Sequence, residues 1–159
     1  MQRLLGNILV IEGAVAVIAY VMTASLLLLD IIGREIFNSP VWGAQKLAVF
    51  GAIIAGILGL SMAVANNTHL RANFADKLLP FGWADRLGDF VSACIYGLLA
   101  WYAFEFVDES ITYKDKAEVI HIPLWPFQLV FPYAFLMSSI RHLYFCARPH
   151  HKPNTTEAP

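Results

Sequence analysis

Apolar positions in this chain run on instead of alternating. From Ile8 to Ile32 the only charged residues are Glu12 and Asp30, and from Val41 to Ala65 the only one is Lys46. Crossing a hydrocarbon core takes roughly 20 apolar residues as helix. Four windows reach that length: 8–32, 41–65, 87–107 and 125–145. Strands of alternating polarity are absent, which argues against a membrane barrel. Between the second and third windows, Leu70, Phe74, Ala75, Leu78 and Leu79 share one face while Asn73, Asp76 and Lys77 take the other. That pattern predicts a short helix over 70–79 lying in the membrane interface. The expected fold class is therefore an all-α integral membrane protein, with four transmembrane helices and one interfacial amphipathic helix between helices two and three. Residues 1–147 form a single transmembrane domain, and 148–159 have the composition of a disordered tail. The first apolar run is too long for a signal-peptide core and continues into Asp30, so it reads as a retained helix.

The ends of these windows carry the remaining local signals. Asp30 and Arg34 stand four apart on one helix face, a spacing that predicts an ion pair. In Phe37-Asn38-Ser39-Pro40, Ser39 is the candidate N-cap and Pro40 the first helical residue, which starts helix two near Val41. Trp42 then falls at headgroup level, and Lys46, one turn on, extends its ammonium outward past it. Trp125 takes the same interfacial position at the start of helix four, while His69, Arg71 and Lys77 anchor the interfacial helix. Pro132 predicts a kink in helix four. Inside helix two, Gly51, Ala52, Ala55, Gly56, Gly59 and Ala63 recur at helical spacing. Small residues four apart let another backbone approach closely, so this helix is expected to pack against protein.

Composition removes whole classes of function. The 159 residues are 58% hydrophobic and 14% charged, with a net charge of -1. Such a chain has too little polar surface for a soluble domain. It has no basic run interleaved with aromatics for nucleic acid. Cys94 and Cys146 read as packing residues. No nucleophile–base pair, metal motif or phosphate loop is present, and His69, His121, His142, His150 and His151 fall at helix ends or in loops, so no catalytic residue and no cofactor is expected. Glu12 leaves two readings open: a helix-packing contact, or the proton-coupling carboxylate of a small autonomous four-helix exporter. With both termini cytoplasmic, Arg3, Arg71, Lys77, Arg86, Arg141, Arg148 and Lys152 lie inside and Arg34, Lys46, Lys114 and Lys116 outside, an inside excess of the expected sign.

Several of these residues, in this order, resemble a known family. The run Asp30, Gly33, Arg34, Phe37, Asn38, Pro40, Trp42, the small-residue helix, then His69-Leu70-Arg71 and a short helix ending Leu78-Leu79-Pro80, resembles the small membrane subunit of tripartite ATP-independent periplasmic (TRAP) transporters. Ile122, Pro123, Trp125 and Pro132 fit the same pattern. Where that family usually places an acid three residues after the tryptophan this chain has Gln45, and Ala72-Asn73 replace its valine-aspartate. The resemblance implies a non-catalytic subunit of the bacterial inner membrane. Its expected partners are membrane lipid, a large elevator-type permease that it scaffolds, and, transiently, a periplasmic binding protein. The transport it serves would be sodium-coupled uptake of a small carboxylate-bearing solute.

Overall fold

A computed structural model describes residues 2–66 and 82–147. Five helices follow in order: α1 (Gln2–Phe37), α2 (Ala44–Ala65), α3 (Gly82–Thr112), α4 (Trp125–Gln128) and α5 (Val130–Ala147). No strand occurs among the described residues. Three of the helices, at Leu5–Phe37, Ala44–Ala65 and Arg86–Thr112, are long and apolar enough to cross a membrane. The expected interfacial helix over 70–79, with His69, Arg71 and Lys77, lies outside the described residues, as does the tail.

The chain divides into two compact units. One comprises Met1–Gly59 with Glu105–Val130, the other Leu60–Phe104 with Phe131–Pro159.

In the first unit α1 runs five residues past the apolar window and stops at Asn38, whose φ of 50° is left-handed. Asparagine tolerates that region better than most residues. The Ser39 N–H then returns to the Gly33 carbonyl at 3.0 Å, which closes the turn. A Cβ on Gly33 would lie 2.8 Å from the Ser39 carbonyl oxygen, so the turn needs glycine there.

Helix two does not begin as the Ser39–Pro40 signal predicts. Val41 gives its N–H to Asp30 Oδ1 at 3.1 Å, and Gly43 at φ +75° is outside helical geometry. The first helical residue is therefore Ala44. Its early turns pack on α1 where side chains are smallest. A Cβ on Gly51 would meet the Ala19 carbonyl, Thr23 Oγ1 and the Met22 methyl. The Thr23 hydroxyl donates to the Ala19 carbonyl at 2.8 Å and lies 3.3 Å from that of Ala48 on α2. Phe50 and Phe127 stack at 4.6 Å, joining α2 to α4.

From Tyr113 to Leu124 the chain folds into a compact loop. The Ala117 N–H donates to the Ile122 carbonyl at 2.8 Å, the His121 N–H to Ala117 at 2.8 Å, and the Leu124 N–H to Asp115 at 3.1 Å. Lys114, Val119 and His121 all have positive φ. For a β-branched residue such as Val119 that is a strained conformation.

The second unit joins the end of α2, the first part of α3 and α5. Ala93 is buried on α3, and its carbonyl accepts the Ser139 hydroxyl of α5 at 2.8 Å. Gly97, one turn on, leaves room for the same serine. Arg141 is 2% exposed; its Nη1 donates to the carbonyl and the hydroxyl of Ser61 at 2.5 and 2.7 Å. Ser61 is near the C-terminus of α2, where the helix dipole favours a cation. Three expectations change here. Arg141, counted from sequence among the basic residues of the cytoplasmic side, is buried, and α5 continues past it to Ala147. His142 is likewise inside α5, stacked on Tyr96 at 5.6 Å with Nδ1 3.3 Å from Asp89 Oδ1. Cys94 is exposed, because it lies beside the buried Ala93 stripe of α3 instead of on it. The break in helix four falls at Leu129, between α4 and α5. Pro132 has no N–H to offer the Gln128 carbonyl four residues back, and its ring crowds that position.

Candidate functional site

Two features of the first unit stand out: a polar node at Asp30, and the uncovered side of α2. The node begins with a carboxylate buried where α1 approaches its end. Asp30 is 2% exposed. Arg34 Nη2 donates to its Oδ2 at 2.7 Å, the Gln45 Nε2 donates to the same oxygen at 3.1 Å, and the Val41 N–H takes Oδ1. Helical spacing supplies Arg34. The glycine-dependent turn supplies the other two donors by folding residues 41–45 back over α1. A carboxylate accepts only, so an amide at position 45 gives it a donor that an acid could not. Next to this node is a pocket of about 460 Å³, lined by Asp30, Arg34, Pro40 to Gly43, Gln45, Lys46 and Val119. Trp42 stands at its rim, 70% exposed.

The small residues of helix two separate into two groups. Gly51 is buried against α1, and Ala55 and Ala63 are intermediate. Ala52, Gly56 and Gly59 are exposed, and among the described residues nothing lies within 4 Å of a Cβ built on either glycine. Together with Gln45 and Val49 they form an exposed row spaced by four and three residues, one face of the helix. Trp125 opens α4, partly exposed. Glu12 is buried at 2% exposure and is not without a partner.

Sequence spacing gave no sign of Thr23, Val41 or Gln45 as bridging residues. Thr23 carried one available signal, a hydroxyl in the middle of an apolar run. The other two depend on how the turn folds. Among the described residues no group of three or more His, Cys, Asp or Glu side chains is placed to hold a metal ion.

A family model described as "Tripartite ATP-independent periplasmic transporters, DctQ component" matches residues 22–150, from the middle of α1 beyond the end of α5. The chain belongs to the DctQ family. It is thus a TRAP transporter small subunit, a multi-pass protein of the bacterial inner membrane, and the family is one of transporter subunits. The match covers the Asp30 node and all of α2. The chain is also similar to the sialic acid TRAP transporter permease protein SiaT of Haemophilus influenzae (strain 86-028NP), with 26% identity over 99 residues. That stretch is 62% of this chain but 15% of SiaT, so this chain corresponds to a small part of that permease.

Proposed function

We propose that this DctQ-family subunit scaffolds a large elevator-type permease, holding the static part of it in the membrane while the mobile part carries solute. The observation supporting this is the exposed Ala52–Gly56–Gly59 row on α2. In lipid there is no hydrophobic drive between helices, and small residues favour association by permitting close backbone approach. The chain already uses Gly51 in this way internally, against α1. The second row has no such neighbour among the described residues, and a helix of the large subunit fits it.

In this reading α4 and α5 together make a fourth crossing, broken at Leu129 with Pro132 in the first turn of α5. Residues 70–79 lie on the cytoplasmic leaflet, and both termini are cytoplasmic. Arg34, Trp42 and Lys46 then anchor the opposite interface, joined by Trp125, while His69, Arg71 and Lys77 anchor the cytoplasmic one. The Asp30–Trp42 turn and the 113–124 loop face the side from which a periplasmic binding protein delivers its solute. The transport served is sodium-coupled uptake of a small carboxylate-bearing solute. Sialic acid, named for the similar H. influenzae permease, carries such a group.

Co-expression with a large TRAP permease subunit tests this. The tagged chain is expected to bring that protein down in detergent, and sodium-driven uptake in proteoliposomes is expected to require both chains and the binding protein. A chain that elutes alone after co-expression, or a large subunit fully active without it, overturns the scaffold role.

A further inference from the structure

The pocket beside Asp30 holds more positive charge than negative. Arg34 and Lys46 line it against the single carboxylate of Asp30, which leaves a net charge of +1. That carboxylate is already engaged on both oxygens by Val41, Arg34 and Gln45. Lys46 has no hydrogen-bond or ion-pair partner among the described residues. Arg34 commits only Nη2, and its side chain is 49% exposed, so the rest of the guanidinium faces outward with donors to spare. The volume, about 460 Å³, lies in the roughly 300–1,000 Å³ range of small-molecule sites.

The surroundings select the class of ligand. The rim is apolar, formed by Pro40, Val41, Trp42 and Val119. Leu27 and Ile31 precede Arg34 by seven and three positions on the same face of α1, and both are exposed. Val49, three positions after Lys46 on α2, is exposed as well. Each cation thus stands at the end of an apolar helix surface leading toward the middle of a span. An anionic head with apolar tails matches that arrangement, and a small soluble anion would use only its polar half.

We propose that this pocket binds the phosphodiester group of a membrane phospholipid. Lys46 and the uncommitted N–H groups of Arg34 contact the phosphate oxygens, as charge-assisted donors do. Trp42 covers the glycerol at headgroup level. The acyl chains lie along Leu27 and Ile31 on one side and Val49 on the other. The single negative charge of the phosphodiester balances the net charge of the pocket. This assignment rests on α1 and α2 as membrane spans and does not require the scaffold role, so the two can fail separately.

The test uses the full chain, purified in detergent and freed of native lipid, with native mass spectrometry as the readout. Three probes are compared: dioleoylphosphatidylglycerol, dioleoylglycerol with the same chains but no phosphate, and glycerol 3-phosphate with the phosphate but no chains. The wild type is expected to retain one phosphatidylglycerol saturably and neither of the other two. Lys46→Gln is expected to weaken retention about tenfold through loss of one charge-assisted contact, and Lys46→Arg to keep it. Thermal unfolding of both variants, expected to match the wild type, checks that the fold persists. Wild-type retention by Lys46→Gln overturns the proposal. So does equal retention of dioleoylglycerol, which would leave apolar contact alone. Glycerol 3-phosphate bound as tightly as the lipid would assign the pocket to a soluble anion instead.

Discussion

Asp30 fastens the end of one membrane helix to the start of the next through a single carboxylate. Removing it takes the acceptor from three donors at once, whereas removing Arg34 leaves the buried carboxylate held by the Val41 N–H and the Gln45 amide but without its cation. Asp30→Ala is therefore expected to cost about 2–3 kcal/mol, the range for losing hydrogen bonds to a charged group. Arg34→Gln is expected to cost less, about 1 kcal/mol, because two of the carboxylate's three donors remain and the guanidinium itself is half exposed. Thermal unfolding of the purified chain in detergent compares them, and equal losses would contradict this ranking. Gly33 supports the same turn sterically. Gly33→Ala pushes a methyl against the Ser39 carbonyl, a backbone atom that cannot swing away, and is expected to cost about 1–3 kcal/mol in the same assay. The Asp30–Arg34 pair was legible in the sequence because i,i+4 spacing on a helix fixes it locally. Val41 and Gln45 were not, since their approach depends on positive φ at Asn38 and Gly43, which spacing does not encode. The same geometry explains why the Ser39–Pro40 signal mislocated the helix start: the tertiary bond to Val41 prevailed over a local capping preference.

At the scale of elements, α2 has one side packed on α1 and another left exposed among the described residues. Its small-residue pattern was evident from sequence, but the pattern repeats all round the helix and gives no direction. Contact with Ala19 and Thr23 assigns Gly51 to the inside, and open space around Gly56 and Gly59 assigns those to the outside. Gly51→Leu is expected to lower the thermal midpoint of the isolated chain. Gly56→Leu is expected to leave it unchanged or slightly raised, since leucine is the better helix former by roughly 0.5–1 kcal/mol. A destabilised Gly56→Leu chain would contradict this division. On α5 the polar residues differ in weight. Arg141 makes two charge-assisted bonds to Ser61, so Arg141→Ala is expected to cost about 2–3 kcal/mol. Ser139→Ala loses one neutral bond to Ala93 and is expected to cost about 0.6 kcal/mol. Urea or thermal unfolding of both variants tests the order. Sequence alone placed Arg141 among the basic residues of the cytoplasmic side. Its burial reflects a serine in another helix, eighty residues earlier, that no local pattern connects to it.

On the scale of the whole molecule, helical membrane character was written in the length of the apolar runs, and family membership in a series of motifs spread from α1 to α5. Which surface serves assembly was not, because lipid-facing and partner-facing positions are equally apolar and only the packed chain shows which small residues its own helices have used. The proposed scaffold role depends on the exposed α2 row receiving the large permease. Quantitative co-purification of that permease with the tagged chain tests it most directly, comparing wild type, Gly56→Ala and Gly56→Leu at matched expression. Near wild-type recovery is expected with alanine and a loss of at least about tenfold with leucine, the effect of roughly 1.4 kcal/mol at an interface, while the chain itself unfolds at its normal temperature. Full recovery of the permease with Gly56→Leu would contradict it and move the interface to another face.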